Sequence, residues 1–134
     1  MKLVIDTNIY SDYAEGLQEV VDILAAHGEN IFIPSVVLGE LYYGFLKGSK
    51  QEYNEEKLQE LIDRLQIGII DVNRDVARKC SLIFRSLQKK GSKIPINDVW
   101  IAACCMEVGG TLLTRDTHFK HVDQIDLIVL EKIP

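Results

Sequence analysis

The sequence lacks the features that place a protein in a membrane or hold together a small secreted domain. No apolar run approaches the roughly 20 residues of a membrane span, and the first five residues meet the charged Asp6 without the apolar segment of a secretory signal. It has only three cysteines, Cys80, Cys104 and Cys105, and their spacing is not that of a metal site. We therefore expect a cytoplasmic protein with reduced, buried thiols and no membrane segment.

Basic residues are also in short supply. The chain has 15 Lys and Arg against 20 Asp and Glu, a formal net charge of -5. This balance opposes non-specific attraction to the phosphate backbone of nucleic acids. At 134 residues, with 47% hydrophobic and 26% charged residues and no linker or repeat, the composition predicts one globular domain over 1–134.

Apolar runs of strand length alternate with segments of helical period, which is typical of βαβ units and a parallel sheet. Strands are expected at 2–5, 31–33, 67–70, 112–113 and 127–130. Helices are expected from Leu17 to a stop at His27-Gly28, at 35–46 and 51–65, from the cap Asn73 to Gly91, and from the cap Asn97 to Gly109-Gly110. The sequence therefore predicts a three-layer α/β/α domain with a mainly parallel sheet of four to five strands.

Two aspartates follow predicted strands. Asp6 comes directly after the first strand, and Asp116 ends the run Leu112-Leu113-Thr114-Arg115. Because open parallel sheets bind ligands at the carboxyl ends of their strands, we expect both carboxylates at the same edge. Each position also has a simpler interpretation, since Asp6 fits a helix cap and Asp116 a turn residue.

Two further acids lie on predicted helices. Glu40 has Val36, Val37 and Tyr43 as helical neighbours, so its side chain is expected on a core-directed face, where an unpaired carboxylate costs several kcal/mol. It then needs a basic partner or a metal. Asp98 follows the expected cap at the start of its helix, where interaction with the helix dipole is the alternative explanation.

Four carboxylates in one crevice would repel one another and require a cation. Oxygen ligands alone select hard ions, so the candidates are Mg²⁺ and Mn²⁺.

Four segments together resemble a known family. They are Val4-Ile5-Asp6-Thr7-Asn8, Val37-Leu38-Gly39-Glu40-Leu41, Asn97-Asp98-Val99-Trp100-Ile101-Ala102-Ala103 and Leu113-Thr114-Arg115-Asp116-Thr117-His118-Phe119. In order and spacing these segments resemble the motifs of PIN-domain proteins over nearly the whole chain. The compact length is most similar to the VapC-type toxins of bacterial toxin–antitoxin pairs.

The resemblance implies an endoribonuclease in which one or two divalent ions activate water for hydrolysis of an RNA phosphodiester. It implies that Asp6, Glu40, Asp98 and Asp116 are the catalytic and metal-binding acids, and that Thr7, Asn8 and Thr114 support them. Family members vary between Asp and Asn at the fourth position. A cognate antitoxin and a homodimer are the implied partners. The alternatives are a catalytically silent PIN-like binding or regulatory module and a housekeeping RNase without an antitoxin.

A basic segment partly offsets the acidic net charge, because seven basic residues and one acidic residue lie between positions 74 and 93. Arg74, Arg78, Arg85 and Lys89 fall within an arc of about 60° on a helix, with Ala77, Cys80, Phe84 and Leu87 on the other side. We name these four basic residues the basic stripe. The stripe and Arg115 are candidate RNA contacts, and a solvated helix face is the alternative interpretation of the stripe.

Histidines and aromatic residues give weaker indications. His118 and His121 lack the further cysteine or histidine of a zinc site, so we expect a surface pair and no zinc site. Tyr42, Tyr43, Phe45 and Trp100 lie in apolar helices, and we expect them in the core or at a dimer interface, not in a base-stacking platform.

Overall fold

The computed structural model of the chain describes residues 1–132. The strands are β1 (Leu3–Ile5), β2 (Ile31–Pro34), β3 (Gly68–Ile70), β4 (Thr111–Thr114) and β5 (Asp126–Val129). The helices are α1 (Thr7–Ala14), α2 (Gln18–Ala26), α3 (Ser35–Lys47), α4 (Gln51–Leu65), α5 (Arg74–Lys90) and α6 (Ile96–Val108), and a 3-10 turn covers Thr117–His121. None of the helices in this described part is both long and apolar enough to span a bilayer.

The five strands form one sheet in the order β3-β2-β1-β4-β5, and every neighbouring pair is parallel. From β1 to β3 the chain moves towards one edge, and the crossover through α5 and α6 then returns it to β4. Since such crossovers are right-handed, this reversal places α5 and α6 on the opposite face from α1 to α4. The predicted α/β class, with a parallel sheet of up to five strands between helices, is confirmed.

The order reverses between β1 and β4, which lie side by side with Ile5 opposite Leu113. In open parallel sheets such a switch point leaves a crevice at the carboxyl ends of the strands. Asp6 and Thr114 are therefore adjacent at this edge, although they are 108 residues apart in the chain.

Strand β1 is apolar along its whole length and β4 is apolar at its centre, because both faces of the sheet are covered there. Leu3, Val4 and Ile5 of β1 and Leu112 and Leu113 of β4 are all fully buried. Rigid packing around β1 and β4 fixes the place where each strand ends, and so it fixes the position of the polar residues that follow.

Helix α1 was not predicted. Its residues, Thr-Asn-Ile-Tyr-Ser-Asp-Tyr-Ala, are mostly polar and of low helix propensity, so the sequence pattern gave no helical period. The helix forms because Asp6 caps it and because Ile9 and Tyr10 pack into the core. Tertiary contacts therefore outweigh the local propensity here.

The expected cap of α6 was wrong. The helix begins at Ile96, one residue before Asn97, and no side chain caps it. The Pro95 carbonyl instead accepts hydrogen bonds from the backbone N–H of Asp98 (3.0 Å) and of Val99 (3.3 Å). The first turn is thus closed by backbone, and Asp98 lies within it.

Helix α5 has the predicted ends. The Asn73 side chain accepts a hydrogen bond from the Val76 N–H at 3.0 Å, and Gly91 ends the helix with a left-handed φ of 71°. Its predicted apolar face was wrong at Ala77 and Phe84, which are exposed. The buried residues of this helix are Val76, Cys80, Ile83 and Leu87. The buried face is therefore centred opposite the basic stripe, whose four residues are all exposed.

Candidate active site

Asp6 is the most buried of the four acids, with 5% of its surface exposed. One carboxylate oxygen, Oδ1, accepts a hydrogen bond from the Ile9 N–H at 3.1 Å and thereby caps α1. The other oxygen, Oδ2, accepts a hydrogen bond from the Thr114 hydroxyl. Both partners are neutral, so the charge of Asp6 is not balanced by either contact.

Glu40 projects from α3 towards the start of α1. The Thr7 hydroxyl donates a hydrogen bond to Glu40 Oε1 at 2.8 Å. The expected core-directed face is found only in part, since Glu40 is half-buried and Val37 is buried, but the neighbouring Tyr43 is 62% exposed. Glu40 therefore lies at the boundary between core and solvent, where an ion and a substrate can both reach it.

Asp98 and Asp116 approach the same place from different elements. Asp98 lies in the first turn of α6, and Asp116 follows β4 and caps the 3-10 turn by accepting a hydrogen bond from the His118 N–H at 2.9 Å. The His118 ring lies between them, with Nδ1 3.0 Å from Asp116 Oδ1 and 3.4 Å from Asp98 Oδ2.

Thr114 connects two of the acids. Its side chain is fully buried; the hydroxyl donates to Asp6 and also accepts a hydrogen bond from the Asp116 N–H at 2.9 Å. Because a hydroxyl offers one proton and two lone pairs, these contacts use its proton and one lone pair. Thr114 thus fixes the end of β4 against the end of β1.

Burial and the neighbouring acids raise the pKa values of Asp6 and Asp98. Burial raises the pKa of Asp6 to about 6, and the charges of Asp116 and Asp98 act in the same direction, whereas the hydrogen bonds from Thr114 and Ile9 oppose the shift. Burial also raises the pKa of Asp98, reinforced by the charges of Asp116 and Glu40 and opposed by its contact with His118. When the acids are ionised, repulsion between their negative charges therefore destabilises the cluster.

The four acids line one cleft of about 420 Å³, together with Thr7 and Asn8. Within residues 1–132, no Lys or Arg lines this cleft. Carboxylate oxygens that converge without a cationic side chain are the donor set that a hard divalent ion prefers. The residues present therefore fit a site for Mg²⁺ or Mn²⁺.

The contact of the His118 ring with two of the acids was not predicted from the sequence. Both histidines of the expected surface pair are exposed, but His118 Nδ1 faces Asp98 and Asp116, while His121 Nδ1 lies 3.5 Å from the Ser92 hydroxyl. The available indication was its position two residues after Asp116. A short turn at that point brings the ring back towards the preceding carboxylate.

Arg115 does not have the placement expected of an RNA contact. It is only 9% exposed, and its Nε donates to Asp12 Oδ2 at 2.6 Å. The same guanidinium also donates to the Glu131 carbonyl and lies 3.7 Å from Glu19. Its contacts join α1 to the end of β4, so we assign it a structural role in place of the expected RNA contact.

The basic stripe is exposed; its residues do not line the cleft, but one end of the stripe is nearer to it than the other. Helices α5 and α6 run antiparallel, since Lys79 pairs with Glu107 at 2.8 Å near the start of α5 and the end of α6. At the other end of α5, Lys90 donates to the carbonyl of His121 at 3.0 Å. The carboxyl-terminal half of the stripe is therefore the half beside Asp98.

The expected placement of the aromatic residues holds only in part. Phe45 and Trp100 pack against the core. Tyr42 is 38% exposed, and its ring meets that of Phe45 edge-on with centroids 6.4 Å apart. Tyr43 and Leu46 are more than half exposed. Helix α3 thus presents an apolar surface on its outer side.

The model of the PIN-domain family matches residues 3–125 of the chain. The chain belongs to the PIN-domain family. Its order of acids agrees with this assignment, and the resemblance of the four sequence segments is confirmed.

The relatives of this PIN domain include bacterial proteins named as ribonucleases. The chain is 31% identical to Ribonuclease VapC2 of Rickettsia felis over 139 aligned residues, and this alignment covers 98% of the chain and 97% of the relative. It is 27% identical over 95 residues to Ribonuclease VapC4 of Mycobacterium tuberculosis, covering 71% and 73%. Among solved structures, VapBC2 from Rickettsia felis, bound to a DNA fragment from their promoter, superposes with a TM-score of 0.88 at 29% identity, covering 98% and 100%.

Proposed function

We propose that this PIN domain is a divalent-metal-dependent endoribonuclease and the toxin of a toxin–antitoxin pair. The observation that carries the proposal is the cleft that all four carboxylates line and that no Lys or Arg of residues 1–132 lines. The relatives named Ribonuclease VapC support the choice of RNA as substrate.

Asp6, Glu40, Asp98 and Asp116 are the proposed metal ligands and catalytic residues, and the ion is Mg²⁺ or Mn²⁺, with one or two ions per site. When bound, a divalent ion offsets the charge of the phosphodiester and lowers the pKa of a coordinated water.

The polar residues position the acids. The Thr114 hydroxyl and the Ile9 N–H hold both oxygens of Asp6, so this carboxylate has one orientation before any ion arrives. Thr7 does the same for one oxygen of Glu40. Asn8 lines the cleft and is exposed, which supports its proposed role as a polar residue that assists the acids. Such preorganisation lowers the cost of assembling the site during the reaction.

RNA must approach a protein of net charge -5, so a local source of positive charge is needed. The basic stripe supplies one, and Arg85 and Lys89 lie at the carboxyl-terminal end of α5, which is the end nearer the start of α6. We include the stripe in the proposal as the surface that attracts the RNA backbone.

The proposed partners are a cognate antitoxin and a second copy of the chain, and the proposed location is the cytoplasm. The structure of the relative VapBC2 is the ground for the antitoxin. The exposed Tyr42, Tyr43 and Leu46 on α3 form an apolar surface suited to self-association.

The alternatives make different predictions. A catalytically silent binding module would bind a protein partner without cleaving RNA, and the complete set of four acids speaks against it. A housekeeping RNase would cleave RNA but would lack an antitoxin encoded beside its gene. Growth arrest on expression, relieved by the product of a neighbouring small reading frame, would separate a toxin from a housekeeping enzyme.

The test is cleavage of total cellular RNA by the purified protein with Mg²⁺, with Mn²⁺ and with chelator. Discrete products that need metal are expected from the wild type. They are also expected from the control variant Asp22→Asn, which replaces an exposed aspartate of α2 by asparagine. Asp98→Asn should abolish them while the far-ultraviolet circular dichroism stays that of the wild type. Full metal-dependent cleavage by Asp98→Asn would refute the proposed site, and no cleavage by metal-loaded wild type would favour the binding module.

A further inference from the structure

One side chain beside the cleft contacts two of its acids and has no part in the proposed set of four. His118 lies on the 3-10 turn with its side chain 49% exposed, and its Nδ1 faces carboxylates from two separate elements. One ligand atom from each of Asp98, Asp116 and His118 lies within 4.8 Å of the other two.

We propose that His118 is a nitrogen ligand of the metal centre, acting together with Asp98 and Asp116. This inference rests on the proposed function, because it concerns the ion that the four acids are proposed to bind. It adds one nitrogen ligand to a centre for which the four acids offer only oxygen ligands.

The distances agree with ligation. Two ligands that share an ion at about 2.1 Å lie about 3 Å apart when they occupy neighbouring positions of an octahedron. The Nδ1 of His118 lies 3.0 Å from Asp116 Oδ1 and 3.4 Å from Asp98 Oδ2. Little movement is therefore needed for all three atoms to face one ion.

A plain hydrogen bond that closes the 3-10 turn is the competing explanation. The turn, however, is already capped without the ring, because the backbone N–H of His118 donates to the side-chain Oδ1 of Asp116 at 2.9 Å. The ring also reaches Asp98, twenty residues away on α6. A single ring proton can serve only one of the two carboxylates well, whereas a cation between them satisfies both oxygens and the nitrogen lone pair.

The donor set has a consequence for metal preference. Imidazole suits transition metals, and carboxylate suits Mg²⁺ and Mn²⁺ alike. With His118 as a ligand, the site should bind Mn²⁺ more tightly than Mg²⁺, and loss of the ring should remove most of that difference.

The experiment is pulsed electron paramagnetic resonance of the Mn²⁺-loaded protein, prepared without a histidine tag. The chain has three histidines, and a ¹⁴N coupling to Mn²⁺ reports ligation by a ring nitrogen. We expect this coupling in the wild type and in His121→Ala, which removes the other exposed ring of the same turn, and its loss in His118→Ala. We also expect Mn²⁺ to bind His118→Ala at least tenfold more weakly, with Mg²⁺ binding changed less than threefold.

Each outcome decides something. Mn²⁺ that binds the wild type without ¹⁴N coupling, or coupling that persists in His118→Ala, overturns the assignment of His118 and leaves the proposed nuclease standing. Failure of the wild type to bind Mn²⁺ or Mg²⁺ at all overturns the metal-dependent function itself. Circular dichroism and thermal unfolding of both alanine variants establish that the turn and the domain remain folded.

Discussion

Replacing Asp6 by asparagine should stabilise the metal-free protein even though it removes a residue of the proposed site. The carboxyl is 5% exposed, and burial raises its pKa from 3.8 to about 6, with the nearby aspartates adding to the shift. At about 1.4 kcal/mol per pH unit, ionising this carboxyl in the folded protein lowers stability by roughly 3 kcal/mol.

The sign follows from the direction of that shift. Because its pKa is higher in the folded state, Asp6 binds a proton more tightly there than in the unfolded chain. The stability linked to this proton is fully present below about pH 4 and is lost as the pH rises through about 6. Asparagine is neutral at every pH, still accepts from the Ile9 N–H and can donate to Thr114 Oγ1. The expected gain is therefore about 1 to 3 kcal/mol at pH 8 and close to zero at pH 4.

Urea unfolding in the presence of EDTA measures this difference, with Asp22→Asn as the control for loss of an exposed carboxylate. Saturating Mg²⁺ or Mn²⁺ should reverse the order, because an ion at 1,000 times its Kd stabilises the wild type by about 4.1 kcal/mol and Asp6→Asn very little. If Asp6→Asn were no more stable than the wild type at pH 8 in EDTA, the charge of Asp6 would be compensated within the protein. The acidic cleft would then not require a cation.

Three further substitutions test contacts around the site. Thr114→Val should lower cleavage by 10- to 100-fold and stability by about 1 to 3 kcal/mol, because it leaves Asp6 Oδ2 and the Asp116 N–H without their hydrogen-bond partner. Thr114→Ser keeps the hydroxyl and should retain both activity and stability. If valine and serine had equal effects on cleavage and on urea unfolding, this role of the hydroxyl would be wrong. Asp12→Asn should cost about 3 kcal/mol in urea unfolding, since it leaves the buried Arg115 guanidinium without its main counter-charge, and a change below 1 kcal/mol would show that the pair contributes little. Arg85→Glu should weaken RNA binding, and flatten its dependence on salt, more than Arg74→Glu does, because Arg74 lies at the far end of α5. If the two variants gave identical salt titrations, the basic stripe would have no role in RNA binding.

Features set by local chemistry were predictable from the sequence. The Asn73 cap and the Gly91 end of α5 depend on neighbouring residues alone, and both lie where the sequence placed them. The alternation of apolar and helical segments likewise predicted the parallel sheet, because burial on both faces requires continuous apolar strands. Helix α1 escaped prediction because its stability comes from contacts of Ile9 and Tyr10 with the core, and no local pattern records these.

Long-range polar contacts were the part that the sequence did not disclose. The Arg115 side chain meets Asp12 across 103 residues, and a surface cation and a buried one look the same in a sequence. His118 faces Asp98 only because the 3-10 turn and the start of α6 meet at the switch point of the sheet. Spacing indicates neither contact, since both depend on strand order.

The carboxylates also show why helix capping and metal binding were not true alternatives. Asp6 caps α1, Asp116 caps the 3-10 turn and Asp98 lies in the first turn of α6, so three of the four acids stand where a helical element begins at the carboxyl edge of the sheet. The caps use Oδ1 of Asp6 and Oδ1 of Asp116, and both carboxylates nevertheless line the cleft. Asparagine caps about as well as aspartate but carries no charge. Asparagine substitutions at these positions therefore separate the two roles, while alanine substitutions would remove both at once and confound loss of the site with loss of the local fold.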